Sequence, residues 1–339
     1  MKESMGFKRY DREASLALLV VREVAQLLHE AERLGAVETL HKADRSPVTI
    51  ADYAAQAVAA RRIAETFPGD VVVAEENSVT LRDPGHKTLL GSVVTLVRKV
   101  FPDADDATVI EGLDRGCGEP TRRFWVLDPL DGTKGFLRGG QYVVALALVE
   151  DGQVKIGALG CPRLNPDMGP VRGEGVALLG VRGGGAWAFG RNGEDRRRLE
   201  VSMETNLVRA RILCSQEPEH SDLAALERLA ATLRVVTPPI GMDSQAKFAV
   251  LAGGQADLAI RIPSPLRPGH KERIWDFAAG CLLVEEAGGK VTDLRGAALD
   301  FGEGRELISA YGVVASNGAL HHAVLEAARR LGIDRRTNG

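Results

Sequence analysis

The sequence predicts a mixed protein, an α+β first half followed by an α/β second half, and three observations carry that reading. The chain has 339 residues, and at about 150 residues per domain such a length predicts about two domains. Apolar residues make up 45% and charged residues 26%, globular proportions that allow a sizeable core and exclude disordered, collagen-like and coiled-coil classes. Beyond residue 200 short apolar runs alternate with helical periods, the pattern of layered α/β structure. Before it, paired helices give way to hairpins. The expected division is therefore 1–200 and 201–339.

The elements follow in order. Residues 11–34 place apolar side chains at helical spacing, with Gly35 as the stop. Residues 49–67 read as a second, alanine-rich helix ended by Pro68-Gly69. Residues 71–74 are a short β-branched strand whose C-terminal end carries Glu75 and Glu76. Residues 77–121 are loosely patterned: a helix over 88–100, then an acidic loop. Residues 124–127 form a strand that ends in Asp128. Residues 141–150 and 153–160 alternate around Asp151-Gly152 as a hairpin, and 177–190 read as another around Gly183 to Gly185. In the second half, strands are expected at 209–215, 257–262 and 313–316. Helices are expected at 222–233, 243–252, 276–287 and 319–331.

The formal net charge is −3, which argues against a nucleic-acid binder with a broad basic surface. Cys117, Cys161, Cys214 and Cys281 show no CxxC pair or zinc spacing and read as buried free thiols of a reducing compartment. The charged N-terminus lacks a signal-peptide core, and the longest apolar run, 16–21, is too short for a membrane span. A cytoplasmic protein is expected.

The chemistry concentrates in DPLDGTKGF, residues 128–136. Asp128 ends a strand, Pro129 stiffens the turn, and Asp131 follows three residues on, so the two carboxylates can converge. Hard divalent cations such as Mg²⁺ take oxygen ligands and share them with substrate phosphate. Gly132 and Thr133 would open a helix whose free N–H groups can receive an anion. Alone, such a stretch also reads as an acidic turn that caps a helix. Likewise Glu75 reads singly as a solvated strand end, Asp276 as an N-cap, and Asp52 as a first-turn acid serving the helix dipole.

Taken together, SPVTIADYAAQ (46–56), AEEN (74–77), DPLDGTKGF and WDFAAG…EEAGG (275–289) resemble the lithium-sensitive, magnesium-dependent phosphatase superfamily that includes inositol monophosphatases. Within it, FWVLDPLDGTKGFLRGGQYVVALALVEDG (124–152), GCP (160–162), DSQAK (243–247) and LDFGEGR (299–305) resemble 3'(2'),5'-bisphosphate nucleotidases of the eukaryotic type. The resemblance runs from about residue 46 to 316 and matches least over 78–121. It implies a layered αβαβα sandwich. It implies two or three Mg²⁺ ions held by Glu75, Asp128, the Leu130 carbonyl, Asp131 and Asp276. Asp52 and Thr133 would orient and deprotonate the attacking water.

The implied substrate is adenosine 3',5'-bisphosphate, cleaved at the 3'-phosphate to AMP, with the sulfated analogue cleaved similarly. Gly132, Thr133, Ser244 and Lys247 would contact it, as would Arg261 in the Arg261-Ile262-Pro263 element and His220. At His220 the sequence departs from the family, with Glu219 where the family has glycine. The expected partner is thus a small nucleotide bisphosphate, with no nucleic acid and no membrane. An inositol mono- or polyphosphate phosphatase is the sister alternative; a non-catalytic nucleotide-binding sensor on the same scaffold is a third. The glycine run 183–185 reads as a hairpin turn, and Glu285-Glu286 as a salt-bridged helix end.

Overall fold

Side-chain alternation along the strands sets the layers. In the strand Arg123–Asp131, Trp125 and Leu127 enter one hydrophobic core while Phe124 and Val126 enter another, as the two-residue period of a strand requires. A sheet apolar on both faces must be covered on both. The computed structural model describes residues 5–35, 39–41, 47–165, 167–169, 173–190 and 195–335.

In chain order the described elements are α1 (Asp11–Arg33), β1 (Thr39–His41), β2 (Pro47–Thr49), α2 (Ile50–Thr66), β3 (Val71–Ala74), α3 (Lys87–Val97) and α4 (Asp106–Arg115). There follow β4 (Arg123–Asp131), α5 (Thr133–Arg138), β5 (Val143–Glu150), β6 (Gln153–Cys161), β7 (Val176–Val181), β8 (Gly185–Gly190) and β9 (Arg197–Arg198). The second half holds β10 (Ile212–Cys214), α6 (Leu223–Thr232), β11 (Ile240–Gly241), α7 (Ala246–Ala252) and β12 (Leu258–Arg261). It ends with α8 (Ala278–Glu286), β13 (Lys290–Thr292), β14 (Val313–Ser316) and α9 (His321–Arg330).

Strands β3 to β9 form one sheet in sequence order, antiparallel except for the parallel β3–β4 pair. A second sheet runs β11-β10-β12-β14-β13. Helices α1 and α2 share a core with one face of the large sheet. The other face packs against α7 and α8; of the small sheet, α7 meets β12, and α8 meets β13 and β14. On the far side of the small sheet, Ile212, Leu258, Ile260 and Val314 pack against α6 and α9. The result is the expected αβαβα sandwich. Helices α7 and α8 come from the second half of the chain and lie on strands of the first, so the middle core belongs to both.

The hairpin at Asp151-Gly152 forms with both residues at positive φ, 51° and 73°, the backbone that a two-residue turn between strands favours. The acidic loop expected after residue 100 is instead partly helical. Asp105 caps α4 by accepting the Thr108 N–H at 2.8 Å. Only Val109, Gly112 and Leu113 of its ten residues are buried, a stripe too narrow to stand out among the charges. The short strands β1, β2, β9, β11 and β13 were also not expected; at two or three residues they lack a readable period. Cys117 is exposed, a correction to the expectation of four buried thiols.

Candidate active site

Helix α2 begins with a reciprocal cap. Ala51 N–H donates to Thr49 Oγ1 at 3.2 Å, and both Thr49 N–H and Thr49 Oγ1 donate to Asp52 Oδ2, at 2.7 and 2.6 Å. Such a cap satisfies helix N–H groups that have no partner within the helix. It also spends one oxygen of Asp52, which is wholly buried, and leaves Oδ1 pointing at α5. Ser46, which opens this motif in the sequence, lies outside the described residues.

One turn further along α2, the buried Gln56 holds the end of β3. Its Nε2 donates to Glu76 O at 2.7 Å and its Oε1 accepts from Glu76 N–H at 2.9 Å. Arg305 secures the same strand end by donating to Ala74 O and, at 2.9 Å, to Gly118 O. Glu75 and Glu76 are thereby delivered to the C-terminal edge of the large sheet, beside the end of β4.

There the β4–β5 register shifts between Asp128 and Asp131, a bulge that re-aims side chains at a strand end. Asp128 Oδ1 accepts the Leu130 N–H at 3.1 Å. Asp131 Oδ2 accepts the Gln245 N–H at 2.6 Å. Gly132 then turns the chain at φ 90°, and a Cβ there would stand 2.9 Å from Ser244 Cβ; no other residue fits. The helix it opens, α5, has six residues. Thr133 Oγ1 lies 3.2 Å from both Asp52 Oδ1 and Leu130 O, so its single proton has two acceptors to choose between. Asp276 stands on a 3-10 turn, Ile274–Asp276, before α8, whose N-cap is Phe277. The capping role open to it in the sequence is not the one it has.

The opposite wall is assembled from α7, the end of β12, the loop that holds His220, and α5. Lys247 Nζ donates to Met242 O at 3.0 Å and Ser244 O at 2.6 Å. Arg261, at the end of β12, meets Glu272 fork to fork, Nε to Oε1 and Nη2 to Oε2, both 2.9 Å. His220 is pushed down to about 4 by burial and by the nearby Arg261 and Lys134 charges, so it is neutral at pH 7. Around it, Lys134 donates to Glu219 at 2.8 Å and to Glu217 at 3.3 Å, and Arg138 donates to Glu217 and, at 2.9 Å, to Asp243. The departure at Glu219 thus has a structural consequence: it occupies the ammonium of Lys134.

Both walls face one cavity of about 760 Å³, a size that suits a small-molecule ligand. Glu75, Asp128, Leu130, Asp131, Gly132, Thr133, His220, Ser244, Lys247, Arg261 and Asp276 all line it. Asp52 does not; it sits one hydrogen bond behind, through Thr133. Glu76, Trp275 and Arg305 also line the cavity and were not singled out from the sequence. The only hint was that they flank or end the motifs that were. Glu285 and Glu286 are scaffold, bound to Arg182 at 2.7 Å and to the Gly183 and Gly185 N–H groups at 2.9 Å.

The acidic wall gathers carboxylates whose charged forms are disfavoured. Burial first, opposed by Lys247 and the Gln245 N–H and reinforced by Glu75, raises Asp131 to about 6. Burial, then Asp131 and Glu75, hold Asp276 well above the usual carboxylate range. Carboxylates driven together out of water resist ionising unless a cation compensates them. Their donor atoms are all oxygen, the set that suits a hard divalent ion such as Mg²⁺. Among the described residues no three His, Cys, Asp or Glu side chains already surround a single point; the carboxylates share a wall, not a closed shell. No helix among the described residues is long and apolar enough to cross a membrane.

Known proteins resemble most of the chain. A 3'(2'),5'-bisphosphate nucleotidase of Emericella nidulans is 37% identical, the match covering 95% of this chain and 99% of the relative. A 3'(2'),5'-bisphosphate nucleotidase of Oryza sativa is 38% identical, covering 84% of each chain. Among solved structures, Thermotoga maritima IMPase superposes with a TM-score of 0.65 at 24% identity, covering 93% of this chain and 96% of that one. Residues 10–332 match the Inositol monophosphatase family, and the chain belongs to that family.

Proposed function

We propose that the chain is a Mg²⁺-dependent phosphomonoesterase that removes the 3'-phosphate of adenosine 3',5'-bisphosphate, giving AMP and phosphate, and treats the sulfated analogue in the same way. The observation that carries this reading is an oxygen-only acidic wall facing a cationic wall across one cavity. The first suits metal-assisted cleavage of one phosphate; the second suits an anion left in place. The nucleotidase relatives, 37% and 38% identical, favour a nucleotide over an inositol phosphate. A reducing, cytoplasmic setting is part of the proposal, supported by four free cysteines.

Glu75, Asp128, the Leu130 carbonyl, Asp131 and Asp276 would hold the ions. Bound there, Mg²⁺ lowers the pKa of water and neutralises charge that gathers on the leaving oxygen. Thr133 orients the attacking water and accepts its proton while passing its own hydroxyl proton to Asp52 Oδ1. The Thr49 cap keeps Asp52 Oδ2 occupied, so Oδ1 is the atom that receives it. Gly132 and Thr133 N–H groups seat the scissile phosphate. Neutral His220 and Ser244 suit hydrogen bonds to the nucleoside, whereas Lys247 and the outer N–H groups of Arg261 suit phosphate oxygens. No step needs a covalent phosphoenzyme; positioning and electrostatics suffice.

Phosphate release from adenosine 3',5'-bisphosphate, its sulfated analogue, inositol 1-phosphate and inositol 1,4-bisphosphate tests the reading. The nucleotides should turn over fastest, and only with Mg²⁺ present. A preference for either inositol phosphate would replace the nucleotidase with its sister enzyme. Tight nucleotide binding without turnover would make the chain a sensor.

A further inference from the structure

We infer that Gln245 is the positioning residue that fixes Asp131 and Asp276 relative to one another, an inference that rests on reading those two aspartates as cation ligands. Gln245 is 1% exposed and touches three segments at once. Its backbone N–H donates to Asp131 Oδ2 at 2.6 Å. Its side-chain Nε2 donates to Trp275 O at 2.9 Å, the carbonyl just before Asp276. Its Oε1 accepts the Gly280 N–H at 3.0 Å in the first turn of α8, the helix that follows Asp276.

One residue, through its backbone N–H and its side chain, therefore ties the end of the large sheet to the turn that carries the opposing carboxylate and to the helix after it. The backbone is bent to do it. Ser244, immediately before, holds φ 63°, a left-handed conformation that a non-glycine residue adopts at a cost. It is also the residue whose Cβ stands against Gly132, so the same turn touches both Gly132 and Asp131. Two carboxylates that repel one another need such a strut, because nothing in their own interaction holds them at a fixed separation.

Outer partners that orient metal ligands typically contribute about 10- to 100-fold to metal affinity. The test is equilibrium Mn²⁺ binding, followed by electron paramagnetic resonance below the melting temperature of every variant. Gln245→Met keeps the volume and the backbone N–H to Asp131 while removing both side-chain bonds. Gln245→Asn keeps the amide but is too short to reach Trp275 O and Gly280 N together, and serves if the methionine variant does not fold. Leu226→Ala, in the outer core between α6 and the small sheet, supplies a loss of stability that does not touch the site.

The Mn²⁺ Kd should rise about 10- to 100-fold in the Gln245 variants and stay unchanged in Leu226→Ala. A folded Gln245 variant that binds Mn²⁺ within about twofold of wild type, or a Leu226→Ala protein weakened as much, would overturn the inference. Asp131→Asn separates this from the underlying reading. If it too leaves Mn²⁺ binding intact, the ligand assignment falls and the strut with it. If it weakens binding while the Gln245 variants do not, the strut alone falls.

Discussion

The two walls of the cavity are built on opposite electrostatic plans. On the acidic wall Glu75, Asp128, Asp131 and Asp276 gather from strand ends and a 3-10 turn, and Lys247 is the main positive charge that relieves Asp131. On the cationic wall positive groups arrive matched: Arg261 with Glu272, Arg138 with Glu217 and Asp243, Lys134 with Glu217 and Glu219. A matched fork is rigid and keeps spare N–H groups for a ligand. Carboxylates gathered out of water repel one another, and a bound cation would relieve that repulsion. On the proposed function, the acidic wall is the one that would hold the cations, and the cationic wall the one that would select the substrate.

The largest break in that contrast should come from Asp131→Asn. It is nearly isosteric but removes a charge from the acidic wall. Metal-site electrostatics are usually worth several kcal/mol, so turnover should fall at least about a hundredfold, since ~1.4 kcal/mol is tenfold. Repulsion also falls, so thermal melting in EDTA should show the variant at least as stable as wild type. An undiminished rate with an unchanged dependence on Mg²⁺ would remove Asp131 from the ligands.

Thr133→Ala tests the junction behind the acidic wall. General-base assistance typically contributes about 10²- to 10⁴-fold; with Asp52 still in place to act through water, a drop in kcat of about a hundredfold is expected. KM should scarcely move, the pattern of an interaction made mainly in the transition state. Thr133→Ser, which keeps the hydroxyl, should retain most of the rate. A raised KM with intact kcat would make Thr133 a binding group only.

Lys247 and Arg261 sharpen the comparison, because they stand at different depths in it. Lys247 bonds two carbonyls of the 242–244 turn and faces Asp131, so Lys247→Ala should depress adenosine 3',5'-bisphosphate and a nucleoside 3'-monophosphate alike. Arg261 stands further along, beside His220 and Glu272. A charge-assisted hydrogen bond is worth about 1.5–3 kcal/mol, so Arg261→Ala should cut kcat/KM for the bisphosphate about 10- to 100-fold more than for the monophosphate. Comparing the two substrates cancels general damage to the ion site. The reverse pattern would exchange the two roles.

The smallest effect belongs to Glu219, at the exposed rim. Glu219→Ala releases one of the two carboxylates on Lys134. Exposed pairs contribute little, so the KM for the bisphosphate should fall by no more than about threefold, with kcat unchanged. A rise in KM would show that Glu219 itself contacts the substrate.

The sequence disclosed these two walls unequally. Asp128 and Asp131 stood out locally, because proline and glycine mark the turn between a strand and a helix, yet alone that turn also read as a helix cap. Asp52, Glu75 and Asp276 each had an ordinary structural explanation in isolation, and only a resemblance spread over more than two hundred residues joined them. The elements were legible from alternating periods, except where charges hid α4 and where strands of two or three residues had no period; the αβαβα order of the layers came from the resemblance. Gln56, Gln245 and Arg305 were not legible as site residues. Their partners are mainly backbone carbonyls and N–H groups, and those bonds leave no residue-type pattern. Glu272 was hidden for a related reason: its partner Arg261 lies eleven residues away across a loop.

The identity of the product tests the division of labour between the walls most directly. Adenosine 3',5'-bisphosphate incubated with the protein and Mg²⁺, then separated by anion-exchange chromatography, should give adenosine 5'-phosphate and one equivalent of phosphate, and nothing when EDTA replaces Mg²⁺. Adenosine 3'-phosphate as the product, or release that persists in EDTA, would contradict the assignment of the acidic wall to the cleaved phosphate and the cationic wall to the one retained.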